Sequence, residues 1–403
     1  MSNVMLALPF WEGHVVESHS EQADGSLLIK LTESPETGAR CGACRALCVL
    51  VHERSRRRVR ERDCFDRRVW LDVPVRRMDC HHCGARVVEH IAWLDRRSRV
   101  THRLRAWVEA LVQLLPIAHV AQLTGLNWHT IKRIDHARLQ EKYGAFEGRD
   151  IRRLVMDEFA LHKGHRYATV AMDARTLRVL WVGEGNSRAD IRPFFEALGP
   201  EGCERIEAVA MDMNTAFDLE VQKHSPQAEV VYDLFHVVAR FGRDVIDRVR
   251  VDQANELRKE PKARQVIKRS RWLLLRNRGN LDEGQAIQLD ELLSANAPLA
   301  KVYLLKTALK ELWFAPTIRE GLKRWREWFR LALDSGLAPA IQFAKRLRKY
   351  LRGILASALF PMNTSMLEGV NNKIKVIKRT AYGFRDSAYF FLKIKAAFPG
   401  KAR

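Results

Sequence analysis

Leu154-Val-Met-Asp-Glu-Phe159 is a short apolar run that ends in two carboxylates, and its length and composition are typical of a buried β-strand. Burying a carboxylate is costly unless it is paired or binds a metal, so Asp157 indicates a metal site at the rim of a sheet. A surface acid at the end of a strand would also fit these residues. Glu158 should point to the opposite face of the strand, and we interpret it as a structural residue or one that supports the site from behind its ligands.

The segments that follow predict a mixed sheet covered by helices. Apolar runs at 154–157, 167–172, 179–182, 208–211 and 230–232 are typical of strands, and 187–198 and 215–224 are typical of helices. The resulting order is β-β-β-α-β-α-β. The fourth strand also ends in an acid, Asp212. Because neighbouring strands would bring Asp157 and Asp212 to one rim, their oxygens suit Mg²⁺ or Mn²⁺.

The fifth strand leads into Asp233-Leu-Phe-His236. Side chains three residues apart at a strand-to-helix junction can share a face, so Asp233 and His236 are candidate auxiliary residues of the site. A helix N-cap followed by a packed histidine explains the same residues equally well.

A third acid, Glu368, lies in a late helical block that begins at Ser365. Ser365 and Glu368 have the spacing of a capping box, which is one explanation for the acid. Positions 371, 372 and 375 nevertheless share its helix face, at i+3, i+4 and i+7. An acid, two amides and a cation in one row suit a metal held next to a phosphate. The predicted DNA contacts of this block are Asn371, Lys375, Lys378 and Arg379.

Two Cys-x-x-Cys pairs near the N-terminus indicate a structural zinc site with four thiolates. The pairs are 35 residues apart, and their members are Cys41, Cys44, Cys80 and Cys83. Buried free cysteines, or a ligand exchange with His81 or His82, would fit the same sequence. Between the pairs lie the basic run 54–62 and the alternating run 69–75, which together predict a zinc-stapled β-ribbon carrying a basic loop. We predict phosphate contacts for Arg56, Arg57 and Arg58, although the run could also be a solvated face.

Residues 100–140 have helical periodicity with a break at Pro116 and a glycine at 125. Leu104, Trp107 and Val108 mark one helix face, and the following pattern is typical of a helix-turn-helix. An ordinary helical hairpin would share this spacing. The second helix should start near Asn127 and present a DNA-reading surface. Its predicted contacts are Asn127, Trp128, His129, Thr130, Lys132 and Arg133.

Charge and cysteine content narrow the class of protein. The 403 residues include 69 Lys and Arg against 48 Asp and Glu, a net charge of +21, which favours a polyanionic partner such as nucleic acid. A membrane surface is the other polyanion, but no apolar run reaches the roughly 18 residues of a spanning helix. The start of the chain lacks the basic region of a signal peptide. Seven cysteines, an odd number, fit a reducing compartment with a metal site, so we expect a soluble, intracellular protein that binds nucleic acid.

Together, these motifs resemble the DDE transposases with an RNase H-like core, and most closely the ISL-type insertion-sequence transposases, the third ISL family. The resemblance covers roughly residues 36–395, and the block 363–375 is its most specific part. It implies a multidomain α+β protein: a zinc-binding β-ribbon domain (1–95), a helix-turn-helix (100–140), and an RNase H-like mixed α/β core (151–236 and 356–403). The core is expected to be interrupted by an all-helical insertion (237–355), because 156 residues separate Asp212 from Glu368.

The resemblance implies a cytoplasmic, nucleoid-associated bacterial protein, and it also implies a mechanism. Asp157, Asp212 and Glu368 would hold two Mg²⁺ or Mn²⁺ ions, with Asp157 bridging both, and Lys375 would contact a DNA phosphate. A homodimer would bind the terminal inverted repeats, cut the DNA at the element ends and join the 3′ ends to target DNA. One alternative is a non-catalytic zinc-ribbon and helix-turn-helix regulator, for which the carboxylates have no purpose. Another is an RNase H-like nuclease acting on RNA–DNA hybrids or junctions.

Overall fold

The computed structural model describes residues 8–146, 148, 150–162, 166–362 and 365–401, and within 365–368 it describes the backbone only. The chain forms two compact units, Met1–Lys142 and Tyr143–Arg403, and each is described by itself. The predicted mixed α+β composition is confirmed.

The first unit combines a five-stranded sheet with three helices. Its elements are β1 (His14–Glu21), β2 (Leu27–Glu33), β3 (Val51–Cys64), β4 (Arg67–Asp79), β5 (Arg86–Val88), α1 (His102–Leu114), α2 (Ile117–Thr124) and α3 (Trp128–Tyr143). The sheet order is β1-β2-β4-β3, and β5 pairs with β4. Strand β4 is central because its alternate residues, including Leu71 and Val73, are fully buried in the apolar core.

We expected the basic run 54–62 to form a loop, but it is part of the long strand β3. It pairs antiparallel with β4 in a continuous register that includes Arg54 with Arg76 and Val59 with Leu71. The expectation was wrong because β4 supplies both the backbone partners and the apolar face, which lets β3 carry exposed arginines along most of its length. The hairpin turns at Phe65 and Asp66, both with positive φ.

The three helices form a helix-turn-helix around their own small core. Leu104, Val108, Ile131 and Ile134 are buried there. Gly125 ends α2 with φ of 64°, a conformation that favours glycine, and a Cβ there would lie 2.7 Å from the guanidinium carbon of Arg68. The predicted helix face also included Trp107, which is 39% exposed, with the Arg62 guanidinium 4.4 Å from its ring centroid.

Arg60 fastens this helical core to the sheet. Its side chain is buried and donates to the carbonyl oxygens of Val69, at 3.1 Å, and Thr124, at 3.3 Å. Its backbone carbonyl accepts from the N–H of Thr101, the residue that caps α1. The cysteine-bearing sheet and the helix-turn-helix are therefore parts of one packed body.

The second unit is built on a five-stranded mixed sheet. Its strands are β6 (Arg153–His162), β7 (Arg166–Asp173), β8 (Val179–Glu184), β9 (Ala208–Met211) and β10 (Glu229–Tyr232). The order is β10-β9-β6-β7-β8. Strands β6, β7 and β8 are antiparallel neighbours, whereas β9 is parallel to β6 and β10 is parallel to β9. The parallel pairs require crossover helices, and the two helices predicted at 187–198 and 215–224 occupy these connections.

Helices surround the sheet and fill the rest of the unit. Their bounds are α4 (Arg188–Glu204), α5 (Thr215–His224), α6 (Leu234–Phe241), α7 (Asp247–Glu256), α8 (Pro261–Arg269), α9 (Arg271–Leu275), α10 (Glu283–Ala295), α11 (Ala297–Glu311), α12 (Ile318–Asp334), α13 (Ala338–Leu347), α14 (Leu351–Leu355), α15 (Ser365–Thr380) and α16 (Ser387–Ala397). A π-helical turn, Gly242–Ile246, joins α6 to α7, and single 3-10 turns lie at Arg278–Asn280, Arg348–Tyr350 and Ala356–Ala358. No helix in the described part of the chain is long and apolar enough to cross a membrane.

The two faces of the sheet have different helical partners. Leu154 and Met156 of β6 pack in the same core as residues of α4, α5 and the long helical stretch that follows β10. Val155 and Phe159, which point the other way, pack with residues of α15 and α16. Asp157 has the parity of Val155 and Phe159, so it faces α15.

Candidate active site

Three aspartates lie in the same register on three adjacent parallel strands: Asp212 and Asp233 directly follow β9 and β10, whereas Asp157 lies within β6, where that strand extends past β9. The predicted strand 154–157 is thus too short, because pairing with β7 carries β6 on to His162. Val155 pairs with Ala210 and Tyr232 pairs with Met211, so the positions that continue these ladders are Asp157, Asp212 and Asp233. The Asp233 N–H still donates to the Met211 carbonyl at 3.0 Å. Because neighbouring strands are roughly 4.8 Å apart, the three carboxylates share one rim of the sheet.

Asp157 is buried, with 4% of its surface exposed. Its Oδ1 accepts from the Glu158 N–H at 2.8 Å, and its Oδ2 accepts from Asn371 Nδ2 at 2.7 Å. Burial raises the pKa of Asp157 to about 6, although these two donors and the nearby His236 act in the opposite direction. A bound cation would therefore stabilise the ionised form of the Asp157 carboxylate.

Asp212 is more accessible, with 36% of its side chain exposed. Its Oδ1 accepts from the Met213 N–H at 2.5 Å and lies 4.0 Å from His236 Nδ1. The charge of Asp212 raises the pKa of Asp157, as expected for two carboxylates at one rim.

Asp233 forms the helix cap that the sequence allowed, and Asp233 and His236 also lie beside the other acids of the rim. Asp233 caps α6, because its Oδ1 accepts from the Phe235 N–H at 2.8 Å. Its Oδ2 lies 3.1 Å from His236 Nδ1. The Asp233 carboxylate, helped by Asp212 and Asp157, raises the pKa of His236 to about 9. A protonated His236 therefore offsets part of the negative charge at this rim.

Helix α15 approaches the same rim. Asn371 reaches Asp157, and its own Oδ1 is buried with no hydrogen-bond partner among the residues that the structure describes. Glu368 belongs to α15 three residues earlier, but its side chain lies outside the described residues. Carboxylate oxygens together with an unpaired amide oxygen form a donor set that suits a hard divalent cation.

The other predicted DNA contacts on α15 differ in accessibility. Lys375 and Arg379 are exposed. Lys378 donates through Nζ to the carbonyl oxygen of Leu161 in β6, so part of its role is to fasten α15 to the sheet. Glu158, as expected, faces elsewhere: its Oε2 accepts from Asn186 at 2.6 Å.

The four predicted zinc ligands converge in the first unit. One sulfur atom from each of the four cysteines lies within 4.8 Å of the others, and Cys41 to Cys83 and Cys44 to Cys80 are 3.8 and 3.6 Å apart. Tetrahedral zinc with bonds of 2.3 Å needs sulfur atoms about 3.8 Å apart, so the cluster fits this metal. The group found in the described residues contains neither of the neighbouring histidines.

Local backbone geometry builds each cysteine pair. Arg45 and Gly84, which directly follow the second cysteine of each pair, have positive φ, and their N–H groups donate to the carbonyls of Cys41 and Cys80. N–H groups of the knuckle, from Cys83 foremost, lower the pKa of Cys80 to about 6. A thiolate favoured in this way is ready to bind metal.

The helix-turn-helix presents most of its predicted contacts to solvent. Trp128, His129 and Arg133 are exposed on α3, whereas Thr130 and Lys132 are half-buried. Asn127 caps the helix by accepting from the His129 N–H at 2.9 Å.

The arginines of β3 are engaged within the sheet. Arg56 pairs with Asp72 at 2.7 Å and donates to the Leu31 carbonyl at 2.9 Å. Arg57 donates to backbone carbonyls near residue 96, and Arg58 lies over the Trp70 ring at 4.8 Å. Their guanidinium groups therefore stabilise the sheet. A phosphate could bind these groups only in addition to, or in place of, these contacts.

Sequence reasoning treated Asp233 as auxiliary, although it carries the same signal as the other two acids: a short apolar strand followed by aspartate. If the third occurrence of this pattern had been given the same weight as the first two, it would have predicted Asp233 at the rim. The Asn371–Asp157 hydrogen bond joins residues 214 positions apart, and no local sequence pattern predicts it.

A helix-turn-helix together with an aspartate-lined sheet rim is the combination we expect of a DNA-processing enzyme. Residues 154–394 match a family model described as a transposase, the DDE transposase domain of ISL3, and residues 89–139 match the helix-turn-helix domain of transposase family ISL3. The chain belongs to the ISL3 family of DDE transposases, which confirms the resemblance seen in the sequence.

Named relatives agree with this assignment. The chain is 52% identical over 401 residues, 99% of both proteins, to the transposase for insertion sequence element IS1001 of Bordetella parapertussis. It is 27% identical over 373 residues, 86% of this chain and 83% of the relative, to the transposase for insertion sequence element IS1557 of Mycobacterium tuberculosis strains CDC 1551 / Oshkosh and ATCC 25618 / H37Rv. The chain is therefore a transposase of an insertion sequence.

Proposed function

We propose that this transposase binds the terminal inverted repeats of its element, cleaves the DNA there and joins the 3′ ends to target DNA by two-metal phosphoryl transfer. The observation that carries the proposal is the register of Asp157, Asp212 and Asp233 at one rim, with α15 bonded to Asp157. Placing three buried or half-buried carboxylates at one rim costs folding free energy, and a protein that only binds DNA would gain nothing from it.

The core of the second unit supports an RNase H-like assignment. Three antiparallel strands are followed by two parallel strands on the far side of the first, with helices in both crossovers. This order, 3-2-1-4-5, is the one we expect of an RNase H-like sheet. The helices between β10 and α15 would then be the insertion that separates Asp212 from Glu368.

The chain's own groups would divide the catalytic work. Asp157 is the proposed bridging ligand, and Asp212 and Glu368 would hold one Mg²⁺ or Mn²⁺ each. A bound pair of such ions supplies an activated nucleophile and stabilises the leaving oxygen of an in-line displacement at phosphorus. Asn371 orients Oδ2 of Asp157 through its amide, and His236 compensates the acids while the rim is free of cations.

DNA recognition would come mainly from the first unit. The exposed α3 residues are the proposed readers of base edges, and one structural Zn²⁺ at the four cysteines would hold the sheet that carries the helix-turn-helix. A homodimer is proposed because the two ends of an element must be processed together.

Single substitutions that remove charge but keep shape test the catalytic proposal. Asp157→Asn, Asp212→Asn and Glu368→Gln should each abolish nicking and strand transfer on labelled element ends with Mn²⁺, while end binding in a gel-shift assay stays within about twofold. The matched control is Glu158→Gln, a neighbouring acid bonded to Asn186 on the opposite face of the strand, which should retain activity.

Two outcomes would reject the proposal. Wild-type protein that binds the ends but neither nicks nor transfers them would be a DNA-binding regulator. Preferential cleavage of a generic RNA–DNA hybrid over inverted-repeat DNA would indicate a nuclease of another kind.

A further inference from the structure

A basic pocket lies beside the aspartate rim and takes no part in the mechanism above. Its volume is about 120 Å³, several times the roughly 10–15 Å³ that a cavity needs to admit one water molecule, so it can hold a group of several atoms. Lining residues that bear on its chemistry are Met213, Arg240, Asp244, Arg346, Lys349 and Tyr350.

The pocket begins where the rim ends. Met213, in its wall, directly follows Asp212 and donates its N–H to that carboxylate at 2.5 Å. Arg240 lies on α6, four residues and about one turn after His236. A strand of DNA with its scissile phosphate at the rim would therefore place a neighbouring part of its backbone at this pocket.

The charges of the pocket favour an anion. Three cationic side chains line it against one carboxylate, Asp244, which lies 3.4 Å from Arg346. Arg240 is exposed and has no carboxylate within ion-pair distance in the described part of the chain. Lys349 sits over the Tyr350 ring at 4.7 Å. Arginine guanidinium groups bind phosphate in a fork, and lysine adds a point charge.

The wall that carries Asp244 is a π-helical turn. In Gly242–Ile246 the chain winds wider than an α-helix, and the Asp247 N–H donates to the Gly242 carbonyl five residues back. Such turns are rare and recur at functional sites. The π-helical turn is thus a second feature of the pocket, independent of its charge, that is typical of functional sites.

We propose that the pocket binds a backbone phosphate that neighbours the phosphate at the aspartate rim, on the same DNA strand. The inference rests on the proposed function, since it names part of that substrate. The occupant is a phosphodiester, so the contact is independent of base sequence and sensitive to salt.

The experiment compares two triple variants that remove the same formal charge. Arg240→Ala with Arg346→Ala and Lys349→Ala changes the pocket. Arg243→Ala with Lys345→Ala and Arg348→Ala changes exposed cations of the same segments that do not line it. Both are made in an Asp157→Asn background, and binding of element-end DNA is measured without divalent metal from 50 to 200 mM salt.

The pocket variant should lower the slope of log affinity against log salt by about 1 more than the control variant, as expected for one lost phosphate contact. DNA with single neutral methylphosphonate linkages near the cleavage position should lose affinity for the Asp157→Asn protein at one linkage. The pocket variant should be insensitive to that linkage.

Equal salt slopes in the two variants, or no linkage to which the pocket variant alone is insensitive, would overturn the proposal. If the triple variant does not fold by circular dichroism, Arg240→Gln with the same linkage scan replaces it, and the same outcomes decide. These binding measurements need no catalysis, so failure of the proposed cleavage would be seen separately, in the wild-type protein with Mn²⁺.

Discussion

Replacing Asn371 by alanine should weaken divalent-metal binding at the aspartate rim. The amide of Asn371 donates through Nδ2 to Oδ2 of Asp157 at 2.7 Å, and its Oδ1 is buried and aimed at no partner among the described residues. The substitution therefore removes one donor that fixes the carboxylate and one oxygen that could itself reach a cation.

The magnitude follows from the hydrogen bond. A hydrogen bond to a charged, buried group contributes about 1.5–3 kcal/mol, because the acceptor here is nearly sealed from water. Since about 1.4 kcal/mol corresponds to a factor of ten, the loss predicts a roughly 10–100-fold weaker apparent affinity for Mn²⁺. This is also the usual range when a residue that orients a metal ligand is removed.

The assay is direct metal binding, without DNA. Free Mn²⁺ is titrated against the protein and counted by electron paramagnetic resonance, and circular dichroism checks that the fold is retained. Asn372→Ala is the matched control, because Asn372 is the next residue of α15 and is exposed. Its Mn²⁺ affinity should stay within about twofold of the wild type.

Equal Mn²⁺ affinities for the two asparagine variants would refute the reasoning. The Asn371–Asp157 hydrogen bond would then have no bearing on metal binding. Loss of binding in both variants would point instead to a general disturbance of α15.

Three further outcomes are expected elsewhere in the molecule. Metal analysis of the wild type should find about one zinc ion per chain, which Cys41→Ser should lose and the exposed Cys64→Ser should retain; equal zinc contents would exclude Cys41 as a ligand. Arg60→Ala should destabilise the first unit in urea by about 2–4 kcal/mol, since it leaves buried carbonyls unpaired, and the exposed Arg62→Ala by less than about 1 kcal/mol. Lys306 is buried, and this lowers its pKa to about 7. The unfolded state therefore binds more protons above pH 7, and the stability of the wild type relative to Lys306→Met should rise by about 2 kcal/mol from pH 7 to 9. A constant difference between the two proteins would contradict the buried charge.

Local pattern was sufficient where a short segment determines its own structure. The apolar runs before Asp157 and Asp212 do form strands, although β6 continues past Asp157 to His162, and the cap at Asn127 and the turn at Gly125 are read from single residues. The cysteine pairs predicted their own convergence because four thiolates at this spacing have few other uses.

Pattern failed where a partner decides the structure. The run 54–62 looks like a solvated loop because its arginines are charged, yet β4 makes it a strand. Likewise, no sequence rule connects Asn371 to Asp157, because their contact exists only after α15 packs on the sheet. The role of Glu368 stays a prediction, since its side chain is not among those described.

The shared register of the three aspartates has a consequence for chain length. Strands β9 and β10 have only four residues each, so inserting or deleting one residue in either would turn its aspartate to the opposite face. The exposed connection between α9 and α10, around 277–282, has no such constraint, because it lies outside the sheet. A foreign peptide or fluorescent label should be accepted there, while a single added residue before Asp212 should silence the enzyme.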